Sequence, residues 1–144
     1  MLPTLNGRLQ TRIFLIVVVG GLWALVISPV LPGGGDLADR YRAMYAVLAI
    51  VLVLGLVWEV VYHLIQQFRW EKDWPTLFAL LVGLPEGLLA YAVARSGVLP
   101  AAENITPEAF IVGFGTTWIV TWLVVSGPMR VLSVHWRFRG GRLV

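Results

Sequence analysis

The chain has 144 residues, 58% of them hydrophobic and 13% charged, with a net charge of +3 and a mean hydropathy of +0.81. Soluble domains run nearer ~45–50% apolar and ~25% charged, so the composition points to an integral membrane protein and away from a soluble enzyme. Cysteine is absent, which excludes disulfides, thiolate zinc sites, iron–sulfur clusters and thiol catalysis.

The basic balance reads as attachment to anionic lipid, not to nucleic acid, in so apolar a chain. Its cations are arginines apart from Lys72, and with the Ala, Val, Gly and Leu content this skew fits a bacterial, GC-rich source. Residues 1–10 are short and polar and include Arg8; Arg12 follows, and then Ile13–Val30 is apolar. That run is longer than the ~7–15 residues of a signal-peptide core and no small-x-small cleavage site follows, so it predicts a first membrane span at about 12–30. Gly20, Gly21 and Ala24 are spaced to let another helix approach closely.

Pro29, Pro32 and Gly33–Gly35 end the first span, and Asp36 or Asp39 can cap the next helix. The second span is predicted at about 42–66. Its first part is apolar except for Tyr45; its second part carries Trp58, Glu59, Tyr62 and His63. A charged link follows, with Arg69, Glu71, Lys72 and Asp73 near Trp70 and Trp74, as suits a headgroup boundary. Pro75 fits the first turn of a third span, about 74–94, which contains Gly83-Leu-Pro-Glu-Gly87. Pro85 removes a backbone bond to Leu81 and predicts a kink. Thr106-Pro107-Glu108 has the form of a helix start, with a hydroxyl cap, proline and an acid in the first turn. It opens a fourth span at about 107–127, which Gly127-Pro128 closes. The tail, 128–144, is basic and aromatic.

Each span has the ~20 residues that a hydrocarbon core demands. Arg8, Arg12, Arg69, Lys72, Arg130, Arg137, Arg139 and Arg142 fall on one side; Arg40, Arg42 and Arg95 fall on the other. The positive-inside rule then places both termini in the cytoplasm. The expected fold is an all-α, single-domain bundle of four transmembrane helices in a bacterial plasma membrane.

Helical rise puts Glu59 about 15 Å and Glu86 about 18 Å above the cytoplasmic boundary. Thr117, Thr121 and Gly20 fall near the same layer. An acid facing lipid costs roughly 2.5–3.5 kcal/mol, so both glutamates should face the bundle interior, where a shared proton or a hydroxyl makes them tolerable. His63 follows Glu59 by one turn, on the same face. Glu59, His63, Glu86, Thr117 and Thr121 are therefore the intramembrane polar candidates. The bland account of them is a hydrogen-bond network that pins helix register; the functional one is a proton or ion path. Glu59, His63 and Glu86 also form a thin metal-ligand set. Haem ligation by His63 and His135 is disfavoured by their different depths. Arg130, Trp136, Arg137, Arg139 and Arg142 are the candidates for lipid or partner anchoring. Asn104-Ile105-Thr106 matches a glycosylation pattern, but the threonine serves equally as a helix cap.

The segments NGRLQTRIFL (6–15), FRWEKDWPTLF (68–78) and WRFRGGRL (136–143) resemble those of small four-helix membrane proteins of actinobacteria. That resemblance implies the four-span fold and brings no activity or functional residue with it. By subtraction, with no soluble domain, nucleotide loop or nucleophile–base set, the expected function is a non-enzymatic subunit or accessory protein of a larger membrane assembly, or a self-associating protein. Its partners are lipid and membrane proteins, with no cofactor. The alternative is a small proton-coupled transporter or channel using Glu59 and Glu86. A membrane enzyme ranks third.

Overall fold

The computed structural model describes residues 4–69 and 76–144. Trp70, Glu71, Lys72, Asp73, Trp74 and Pro75, which carry the link and the start of the third predicted span, lie outside the described residues. Those described form helices and turns, with no strand among them. Four helical stretches are long and apolar enough to cross a membrane: Leu5–Val30, Leu37–Gln67, Thr76–Arg95 and Pro107–Leu132.

The first stretch begins with α1 (Leu5–Phe14), which Thr4 caps by accepting the Gly7 N–H at 3.1 Å. The sequence reading starts this span near residue 12. The helix starts earlier because a threonine cap is available and because the face bearing Arg12 is packed against the bundle. A π segment (Leu15–Gly20) follows, then α2 (Gly21–Ile27) and a short 3-10 turn (Ser28–Val30). Arg12, Ile16, Gly20, Ala24 and Ser28 are all buried, four residues apart. In a 3.6-residue helix such a stripe drifts by about 40° per step. The wider π turn, in which Gly21 N–H reaches back to Ile16 O, takes up part of that drift and keeps the stripe on the bundle.

Asp36 caps α3 (Leu37–Gln67) by accepting the Asp39 N–H. Its buried face is set by Met44, Leu48, Val51, Gly55, Tyr62 and Gln66, with Glu59 on the same line. These positions recur at three- and four-residue steps, the spacing of a helix seam. The third stretch is broken at Val82 into α4 (Thr76–Leu81) and α5 (Gly83–Arg95). Pro85 accounts for the break, since it cannot donate to Leu81. A single turn, α6 (Pro100–Glu103), lies in the following loop. Thr106 caps α7 (Pro107–Ser126) by accepting the Ala109 N–H, with Pro107 at the first position. Gly127 breaks the line before α8 (Pro128–Leu132) and α9 (Val134–Phe138).

Packing is close where glycine permits it. A Cβ at Gly113 would lie 2.8 Å from Met44 Sδ, and one at Gly87 would lie 2.7 Å from the Phe114 ring. Gly83 leaves room for the Trp118 indole, whose Nε1 donates to Leu80 O at 3.1 Å. The Gly83–Gly87 pair is thus filled from within the chain, by α7. Above the charged layer the core is apolar: Leu31, Met44, Val47, Leu48, Val51, Ala90, Ala94 and Phe110 form one buried cluster. Large aliphatic side chains such as Leu84, Leu88 and Ile111 point outward, as suits a lipid-facing surface.

Candidate functional site

The polar centre is built from three of the four long stretches. Helix α1 supplies Arg8 and Arg12, one turn apart; α3 supplies Glu59; α5 supplies Glu86. Arg12 is 8% exposed and Glu86 is 3% exposed. Arg12 Nη2 lies 2.9 Å from Glu59 Oε1 and 3.0 Å from Glu86 Oε1, so one guanidinium nitrogen bridges both acids. Arg12 Nε adds a second bond to Glu59 Oε1 at 3.0 Å. Arg8 Nη1 reaches Glu59 Oε2 at 3.3 Å, and Arg8 Nη2 donates to Gln66 Oε1. Two cations and two anions close on themselves with no net charge. Pairing of this kind is what makes buried ions tolerable, and removing one member leaves the others exposed to an apolar medium.

Gly55 explains how Arg12 gets there. It lies one turn from Glu59 on α3, and a Cβ at that position would be 3.2 Å from both Arg12 Cδ and Nε. The missing side chain is the slot through which the arginine crosses. The guanidinium carbon also lies 5.3 Å from the Trp118 ring centroid, a cation–π distance. Trp118 in turn ends a run of stacked rings, Phe110–Phe114 at 5.3 Å and Phe114–Trp118 at 5.6 Å.

The shared partner of the two glutamates is therefore a guanidinium, where the sequence reading anticipates a shared proton or a hydroxyl; a hydroxyl, that of Tyr62, is bonded to Glu86 in addition. The physical reason is reach: an arginine near the helix start extends its side chain along the bundle to acids on neighbouring helices. Thr117 and Thr121 are buried, but their hydroxyls donate to Gly113 O at 2.7 Å and Trp118 O at 3.0 Å within their own helix. His63 is half-buried and pairs with Gln67 at 3.2 Å, while Tyr62, on the buried face of α3, lies against Glu86. No group of three or more His, Asp or Glu side chains placed to hold a metal occurs among the described residues.

A cavity of about 150 Å³ adjoins the network. Arg8, Arg12, Glu59, Tyr62, Trp118 and Thr121 contribute to its wall. At roughly 30 Å³ per water it suits a few waters and little more. A larger concavity of about 540 Å³ lies between α5 and α7, lined by Leu84, Gly87, Leu88, Phe110, Ile111 and Phe114 among others, and it is apolar.

The anchoring candidates divide. Arg130, Arg137, Arg139 and Arg142 are exposed. Trp136 is half-buried, and its Nε1 donates to Thr11 Oγ1 at 2.8 Å, so it ties the tail to α1. Sequence reasoning missed Arg8 and Arg12 as site residues, having placed both among the boundary cations. The four-residue stripe from Arg12 to Ser28 was the available signal.

No protein-family model matches the chain, and no curated protein or solved structure is significantly similar to it.

Proposed function

We propose that this protein is a non-enzymatic, multi-pass subunit or accessory protein of a bacterial plasma-membrane assembly, acting through helix contacts with other membrane proteins or with itself. Both termini face the cytoplasm in this reading. One observation carries it: the two charged side chains buried among the described residues, Arg12 and Glu86, are ion-paired to each other, and Arg12 is paired to Glu59 as well. The charge inside the bundle is thereby taken up in joining its helices and is not held ready for substrate. The apolar core above the charged layer supports the same reading, because a conducting protein needs a hydrated route on both sides of its acids. The resemblance to small actinobacterial membrane proteins is compatible with it. The test is purification from the native membrane in mild detergent, with the mass of the resulting particle measured. A co-purifying partner or a stable oligomer is expected; a strictly monomeric protein with nothing bound would overturn the proposal.

The cavity beside Glu59 favours proton-coupled transport as the second reading. Flux into proteoliposomes separates the two. Transport that Glu86→Gln abolishes would establish the second reading, and the absence of flux in the native protein would remove it.

A further inference from the structure

We propose that the C-terminal segment, 128–144, is a folded seat for anionic phospholipid headgroups, held in shape by its clasp on α1. The unbroken helix α7, Pro107–Ser126, spans 20 residues, about 30 Å, and so is used up by a ~30 Å hydrocarbon core before the break at Gly127. Its end, and the tail after it, therefore reach the headgroup layer. Arg130, Arg137, Arg139 and Arg142 are all exposed there, and the segment contains no acidic residue. Between them stand Val131, Leu132 and Phe138, exposed by 74%, 81% and 66%. Arginines interleaved with exposed apolar side chains complement a surface of phosphates over acyl chains. An acidic protein would match the charge but gives no reason for the apolar residues at this depth.

The seat is built and not merely basic. Thr4 N–H donates to Gly140 O at 2.9 Å, and Thr11 Oγ1 donates to Gly141 O at 3.0 Å. Trp136 Nε1 donates to Thr11 Oγ1, and Leu143 N–H donates to Gln10 Oε1 at 2.8 Å. Gly140 and Gly141 take positive φ, of 64° and 82°, which folds the chain back onto the helix. The clasp leaves no space at Gly7, where a Cβ would collide with the Gly140 carbonyl. These contacts hold Trp136, Gly140, Gly141 and Leu143, and with them the chain that carries Arg137, Arg139 and Arg142, against α1, so lipid selectivity should depend on the clasp as well as on charge.

The inference rests on the chain being membrane-embedded, and the test separates the two claims. The full chain is reconstituted in nanodiscs of phosphatidylglycerol and phosphatidylcholine, extracted gently, and its retained lipids are weighed by native mass spectrometry. Phosphatidylglycerol should be enriched. Arg137→Gln and Arg139→Gln should each lower the enrichment, by roughly fivefold per charge. Gly7→Val keeps every arginine but should also lower it, with the tail becoming sensitive to trypsin. Trp136→Phe, which keeps an aromatic ring but loses the indole N–H that bonds Thr11, gives the same readout if Gly7→Val does not fold. Equal retention of the two lipids by an inserted native chain would overturn the seat. So would full enrichment in a variant whose tail has been released, since charge alone would then suffice. A chain that failed to enter the nanodisc would overturn the membrane reading and the seat with it.

Discussion

Arg12 and Glu86 stand 74 positions apart in the chain and meet at 3.0 Å inside the bundle, with Glu59 sharing the same guanidinium nitrogen. The contact joins the first long helix to the third, and through Glu59 to the second. Three helices are thus registered against one another by a single side chain. Ion pairs of this type add little net stability compared with well-packed apolar residues, yet they are costly to break singly. That asymmetry yields the first expectation.

Arg12→Met leaves the buried Glu86 and the half-buried Glu59 without their shared partner. A loss of about 3–5 kcal/mol is expected for such a broken pair, read as a fall in unfolding midpoint in detergent. Arg8→Met should cost less, because Arg8 reaches only Glu59 among the acids and at the longer distance of 3.3 Å. Equal losses from the two variants would show that the bridging role assigned to Arg12 is wrong.

The two hydroxyls at the same depth should matter little. Thr117 and Thr121 bond to carbonyls of α7 and not to the acids. Thr117→Val and Thr121→Val should each change stability by less than about 1 kcal/mol, the scale of single hydrogen bonds in membrane bundles. A loss as large as that of Arg12→Met would place them inside the network.

Glycine substitutions should sort by what fills the space beside each. Gly83→Ala pushes into the Trp118 indole and endangers its bond to Leu80 O, so a cost of about 1–3 kcal/mol is expected. Gly115 has nothing within 4 Å of an added Cβ. Gly115→Ala should be neutral in the isolated protein, or stabilising by up to about 1 kcal/mol through helix propensity. Thermal midpoints of the two variants in one detergent decide the matter, and a reversed order would contradict the packing described.

Orientation has its own test, made clean by the absence of native cysteine. Val144→Cys should react with an impermeant thiol reagent only when the cytoplasmic face is opened. Val98→Cys, in the exposed loop before α6, should react in intact cells. The opposite pattern would invert the proposed topology.

Much of the fold was legible because it follows from local rules. Hydropathy marks the four long helices; Thr106-Pro107 and Asp36 mark two of their starts; Pro85 marks the break at Val82. The charge network was half legible. Depth arithmetic brings Glu59 and Glu86 to one layer, and the cost of burial demands a partner. It does not say which partner, because the reach of a long side chain is a tertiary property. Arg12 was hidden by a sound rule applied about two turns too late: the helix starts at Leu5, so Arg12 lies inside it and not at its edge. Gly55, one turn from Glu59, is the complementary trace of the same contact, and a glycine on an apolar helix is easily read as generic packing. Trp136 was obscured in the same way, since tryptophan at a membrane boundary ordinarily anchors to lipid, whereas here it holds the tail to α1.

A double-mutant cycle between Arg12 and Glu86 tests the central claim most directly. Arg12→Met, Glu86→Gln and the double variant are unfolded in the same detergent and their free energies compared with the native chain. The account predicts strong coupling, about 2–3 kcal/mol, with the double variant more stable than the two single losses imply. Additive losses would contradict it, for they would mean that the buried arginine and the buried glutamate do not hold each other in place.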